Sequence, residues 1–225
     1  RTHLNPSSQQ VRGSTTSVGG NDGDLGSNMV LVKLPVGTNV TVIVAGGQHN
    51  CALTNFGQIY CWGRNTEGQL GIGTANNVGT SPSDIITPVK LGGGGVRAAA
   101  IGAGNLHTCA MTQTDQNIVC WGSNDQSQLG INPSYGTIGT QAGDLDDITY
   151  LKIIDPETSK AMNAAALSVG SSHTCALTMR SSVYCWGSNQ YYQLGLGTNV
   201  AMSNNPALMD LGGRLVYSMA CGANH

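Results

Sequence analysis

The chain has 225 residues, only 10% of them charged, and a net charge of −2. That length suits one or two domains, and the charge excludes the basic stripe that a nucleic-acid surface requires. With 32 glycines and a single phenylalanine, the core must be assembled from small and β-branched side chains between tight turns.

Residues 1–25 are polar and rich in Ser, Thr, Gly and Asn, which predicts a linker or long loop. Arg1 is not an initiator methionine, and the last residues repeat the start of an internal motif, so both ends read as edges of a longer protein. The start lacks the charged-then-apolar pattern of a secretion signal. The longest apolar run, near residues 40–45, is far too short for a membrane span.

Residues 39–45 (NVTVIVA) are β-branched and apolar and predict a buried strand. Residues 49–54 and 58–62 then flank Asn55-Phe56-Gly57, a three-residue hairpin loop with glycine at the left-handed position. Residues 83–91 predict a fourth strand, closed by the glycine run 92–95. The pattern recurs with strands at 97–103, 107–111, 118–121 and 148–154, and again at 165–169, 173–177, 183–186 and 207–211. Helical periodicity is weak, and only residues 157–167 could form a short helix.

The recurrence extends to the letters. CWGRNTEGQLGIG at 61–73 returns as CWGSNDQSQLGIN at 120–132 and CWGSNQYYQLGLG at 185–197. Each is preceded by a head: GGQHNCAL from Gly46, GNLHTCAM from Gly104 and GSSHTCAL from Gly170, with a further head starting at Gly222. A four-stranded antiparallel unit in tandem predicts an all-β propeller, whose blades bury one another's faces.

The hairpin register places Cys51 opposite Cys61 and Cys175 opposite Cys185, each leaving a three-residue loop; Cys109 and Cys120 leave four, residues 113–116. Opposed residues of a non-hydrogen-bonded antiparallel pair approach closely enough for a disulfide. Three such bonds are therefore predicted, each worth about 2–3 kcal/mol in the chain-entropy picture. They argue for an oxidising compartment. A zinc site fits less well: no C-x-x-C is present, and cysteines in separate blades cannot pool.

The recurring G-x-x-H-[TN]-C-A-[LM] head, the C-W-G-x-N turn and the Q-L-G string resemble the repeats of the regulator of chromosome condensation (RCC1) family. The resemblance runs from about residue 26 to residue 225, with NMVLVKL at 28–34 resembling the tail of a preceding repeat. It implies three complete repeats and partial ones at both ends, within a propeller of seven blades. The family's founder is a nuclear exchange factor for a small GTPase that docks on chromatin. The paired cysteines are similar instead to a secreted and cell-surface branch, whose members are binding or structural modules.

His49, His107 and His173 each lie two residues before a cysteine. A Cys–His nucleophile is one reading; the favoured one is a structural histidine bonded to a neighbouring loop's backbone. Trp62, Trp121 and Trp186 read as packing residues between blades, with sugar stacking as the alternative. Glu67, Asp125 and Gln190 lie in the corresponding loop of each copy, so no acid is held constant for catalysis. The acidic stretches 20–26 and 143–147 lack the spacing of a calcium loop and read as solvated turns. Asn39 begins an N-x-T sequon and is a candidate glycosylation site. Cys221 takes the place of Ala45, Ala103 and Val169. It reads as a buried free thiol, against an interchain or inter-blade disulfide.

The expectation is a non-catalytic structural or protein-interaction module of a larger extracellular or cell-surface protein, without cofactor, metal or nucleic-acid partner, and capable of self-assembly or filament formation. Partner contacts are expected at Thr66, Glu67, Asp125, Gln126, Gln190, Tyr191 and Tyr192, with residues 68 and 127 in the same variable loops. A glycan-binding module using insertions 75–83, 133–146 and 191–205 is the first alternative, and a guanine-nucleotide exchange factor the second.

Overall fold

The computed structural model describes residues 11–12, 31–81, 83–146, 151–198 and 200–225. Fourteen strands are found among them. Val11–Arg12 (β1) pairs with Leu31–Val32 (β2). A first blade contains Val40–Ala45 (β3), His49–Thr54 (β4) and Ile59–Gly63 (β5). A second contains Ala98–Ala103 (β6), His107–Thr112 (β7) and Ile118–Gly122 (β8). A short ladder of Ile153–Ile154 (β9) and Ala161–Met162 (β10) comes next. The third blade contains Ala164–Val169 (β11), His173–Thr178 (β12), Val183–Ser188 (β13) and Met202–Leu208 (β14). All pairings within blades are antiparallel, in chain order.

The blades are copies in detail. The first pairing of each slips at one position, between Val40 and Val42, Ala98 and Ala100, and Ala164 and Ala166. This recurrent bulge adds local twist to the first strand of each blade. The hairpin after each head closes through a residue of positive φ: Gly57 at 72°, Gln116 at 50° and Ser181 at 61°.

Alternation along β4 and β5 sends Cys51, Leu53, Ile59 and Cys61 to one face, where they meet Ala98, Ile101, Ala110, Val119 and Trp121 of the second blade. The opposite face, with Ala52, Tyr60 and Trp62, packs on Val32 and Ile86. The second blade meets the third in the same way: Cys109, Met111, Ile118 and Cys120 lie against Ala164, Ala176, Tyr184 and Trp186. Each of these two hairpin disulfides thus lies between two blades. Ala110 and Ala176, the alanines after the head cysteines, leave room for the sulfurs of the preceding blade.

The expected fourth strands need correcting, and Val40–Ala45, expected as a buried strand, is mostly exposed, Val42 and Ile43 included. The third blade has its complete fourth strand, displaced to Met202–Leu208 from the expected 207–211. In the first two blades the fourth position is held by isolated bridges, Tyr60 with Pro88 and Gly63 with Val78, then Ile118 with Leu151 and Gly122 with Ile138. Pro88 has no N–H to extend a ladder. Residues 157–167 form no helix. Asp155 accepts from the backbone N–H groups of Glu157 and Thr158, turning the chain, and the residues beyond join β10 and β11.

Most of the predicted linker at 1–25 and the acidic stretch 20–26 lie outside the described residues, as does Asp147. Among the described residues no helix is long and apolar enough to cross a membrane.

Candidate functional site

The three cysteine pairs are bonded as Cys51–Cys61, Cys109–Cys120 and Cys175–Cys185, with Cα separations of 4.1, 4.0 and 4.1 Å. A Cys–His nucleophile needs a thiolate, and each head cysteine has its sulfur in one of these bonds.

The histidines do different work. His49 Nε2 lies 2.8 Å from Thr108 Oγ1 in the next blade, and His107 Nε2 lies 3.0 Å from Thr174 Oγ1. Thr108 donates its hydroxyl proton to the backbone carbonyl of Gln69 at 2.8 Å, and Thr174 donates to that of Gln128 at 3.2 Å. A hydroxyl has one proton, so His49 and His107 must donate from Nε2, which leaves Nδ1 bare. His49 Nδ1 and His107 Nδ1 are indeed buried without a partner. Burial holds both rings neutral, lowering His49 to about 4 and His107, which also faces His49 and His173, to about 3. The expected backbone partner of these histidines is therefore replaced by a threonine hydroxyl, which carries the link on to the loop carbonyl.

That carbonyl receives a second donor. Trp121 Nε1 donates to Gln69 O at 3.0 Å, and Trp186 Nε1 to Gln128 O at 3.1 Å. The tryptophans pack between blades and also clamp the preceding Gln-Leu-Gly loop. Trp121 and Trp186 are fully buried, which leaves no ring face for sugar stacking.

Within each loop, two amide side chains fix the backbone. Asn65 Oδ1 accepts from Leu70 N at 2.9 Å and its Nδ2 donates to Thr74 O. Asn124 and Asn189 repeat the arrangement through Leu129 and Leu194. Gln69, Gln128 and Gln193 accept from the N–H of Glu67, Gln126 and Tyr191 at 2.9, 2.8 and 2.9 Å. Sequence reasoning missed these asparagines and both threonines. Their signal was present: polar side chains at one fixed place in each copy, where surface positions vary.

The fixed frame leaves a small presented surface. Thr66, Asp125, Gln190, Tyr191 and Tyr192 are exposed, and Glu67 and Gln126 are half-buried. Gly68 and Ser127, expected among the partner positions, are buried instead. Gly68 abuts the backbone of Ile138 and Gly139, and Ser127 Oγ contacts Met202 Sδ at 3.5 Å. The structure therefore brings the first two positions of each loop outward and turns the third toward the next blade, except at Tyr192.

Asn39 is exposed just before β3, and its carbonyl accepts from Asn55 N. Asp144 uses its carboxylate on the N–H groups of Gly139 and Gln141, which makes it a turn device. Asp84 does the same with Gly79, Thr80 and Ser81, and these bonds lower its pKa.

Comparison with known proteins places this geometry. The sequence matches the regulator of chromosome condensation (RCC1) repeat at residues 57–111 and 181–225, and a second description of that repeat at 40–69, 98–128 and 164–193. It is 28% identical over 186 residues to the probable E3 ubiquitin-protein ligase HERC4 of Homo sapiens, spanning 83% of this chain and 16% of that protein. It is 27% identical over 191 residues to the ultraviolet-B receptor UVR8 of Arabidopsis thaliana, spanning 84% of this chain and 39% of that one. Among solved structures, yeast RCC1 (Prp20) bound to Kap60 superposes with a TM-score of 0.67 at 19% identity, covering 86% of this chain and 42% of that one. A second structure, of Prp20p from Saccharomyces cerevisiae, gives 0.64 and is described with its binding to Gsp1p and histones. The chain thus spans less than half the length of each of these relatives. With matched repeats along most of the chain and a propeller neighbour in three dimensions, the chain belongs to the RCC1 repeat family.

Proposed function

We propose that this chain is a non-catalytic interaction segment of a larger extracellular or cell-surface protein, and that the variable tips of its Gln-Leu-Gly loops contact a protein partner or further copies. One observation carries this reading. Each loop is held by a buried asparagine and a buried or half-buried glutamine, and the first two also by the next blade's tryptophan and threonine. Yet the outward positions differ in every copy, ending in the exposed pair Tyr191 and Tyr192, 67% and 65% accessible. Constant framing around changing, solvent-facing side chains is the arrangement of a recognition surface, and tyrosines bring contact area at low entropic cost. The three hairpin disulfides support an oxidising location. The exposed sequon at Asn39 is then available for a glycan.

The test uses the chain made with a secretory leader and purified without reductant. Light scattering across a concentration series should show association that Tyr191→Ala with Tyr192→Ala abolishes at unchanged melting temperature. A monomer at all concentrations that binds a glycan array would replace this reading with the glycan module. Accelerated release of a fluorescent guanine nucleotide from a small GTPase would replace it with the exchange factor.

A further inference from the structure

The residue before each head glycine occupies one recurring place: Ala45, Ala103, Val169 and Cys221. At Val169 and Cys221 it lies over the disulfide of the preceding blade. Val169 touches Gly102, the residue paired with Cys109, and clusters with Cys109 and Cys120. Cys221 repeats the placement one blade on. Its N–H donates to Ser168 Oγ at 2.8 Å, Ser168 is paired with Cys175, and Cys221 clusters with Cys175 and Cys185. Where Val169 brings methyl groups to this point, Cys221 brings a thiol.

The sulfurs of Cys221 and Cys175 lie within 4.8 Å of one another, with a ring nitrogen of His173 inside the same radius. The thiol is half-buried and lines a cavity of about 330 Å³ formed by the head residues of successive blades. We propose that Cys221 is the third sulfur of an exchange unit: its thiolate attacks Sγ of Cys175, the Cys175–Cys185 bond breaks, and a Cys175–Cys221 bond forms with Cys185 as the leaving thiolate. Cys221 gives its proton to water in the cavity and Cys185 takes one up. One thiol and one disulfide exist before and after, so no oxidant or reductant is consumed.

The product differs from the starting bond in what it joins. Cys175–Cys185 closes a single hairpin, with a sequence separation of 10. Cys175–Cys221 ties β12 to the head of the next repeat and closes a much longer stretch of chain, which constrains the unfolded state more. Burial raises the Cys221 thiol above its usual range, against smaller opposing contributions from Ser168 and the Cys175 backbone. Exchange therefore proceeds through a small thiolate fraction and is slow. The first two blades have Ala103 and Val169 at the equivalent sequence positions, neither of them a thiol, and cannot rearrange in this way.

The full chain, held without reductant at pH 8, is acid-quenched at intervals, alkylated, digested unreduced and mapped by mass spectrometry. Alkylation of Cys221 should fall and that of Cys185 rise by the same fraction, together with a Cys175–Cys221 linked peptide, while the other two pairs stay intact. Cys185→Ser, treated with oxidised glutathione, should form the Cys175–Cys221 bond in most molecules. Alkylation confined to Cys221 over a day in the unaltered chain overturns the proposal, and this readout stands even where Cys185→Ser fails to fold. Glutathione mixed disulfides without the internal bond in a folded Cys185→Ser variant overturn it as well.

Discussion

His49 and Gln69 belong to the same blade, yet their hydrogen-bonded link runs through Thr108 of the next one: His49 Nε2 donates to the hydroxyl, and the hydroxyl donates to the Gln69 carbonyl. Thr108→Val keeps the volume but strands a buried donor and weakens a buried acceptor. It should cost about 1–3 kcal/mol of stability. Thr108→Ser keeps the hydroxyl and should cost less. Urea unfolding midpoints at pH 7.5 compare the two.

Stability should fall with acidification well above the carboxylate range. The unfolded histidines bind protons near pH 6.5, whereas folded His49 and His107 resist until about 4 and 3. Between those values the unfolded chain holds more protons, so stability declines as pH falls from 6.5, by up to ~1.4 kcal/mol per pH unit for each histidine. Asp84 and Asp155, whose pKa values are lowered, add a further loss only below their ordinary value of 3.8. Unfolding midpoints at pH 7.5 and 5 should differ clearly, and less so in His49→Gln.

Asn124 holds its loop with an acceptor on one side and donors on the other. Asn124→Asp would set a carboxylate oxygen against the carbonyls of Ile131 and Asn132. A loss of about 2–4 kcal/mol is expected at neutral pH, and a smaller one at pH 5, where the side chain can take up a proton and donate again. Thermal melts at the two pH values give the sign.

A Cβ on Gly104 would collide with the His107 imidazole and the Gly170 carbonyl. Gly104→Ala should therefore cost about 1–3 kcal/mol. Part of that loss should disappear when His107 is also alanine, giving a non-zero coupling in a double-mutant cycle. Additive losses would show that the backbone carbonyl alone forbids the side chain.

The parts of the fold legible in the sequence were those that repeat at short range. The hairpin register comes from the two-residue alternation around Cys51 and Cys61, and three copies of it leave little freedom. The bridges at Pro88 and Leu151 were harder to foresee, because a proline and loops of unequal length interrupt the outer strand in two blades. Residues 157–167 carry a helix-compatible composition, but Asp155 captures the N–H groups of Glu157 and Thr158, and β11 takes up the residues from Ala164 onward. The threonine relay joins residues 59 and 39 positions apart, a relation that no local pattern encodes.

The relay also has a direction in time. Gln69 is made before Thr108 and Trp121, and Gln128 before Thr174 and Trp186. As the chain emerges from the ribosome, each loop must wait for its successor to be synthesised before its carbonyl is satisfied. Assembly should then advance as a wave, trailing synthesis by one unit, with the most recent loop always the least protected from exchange or proteolysis.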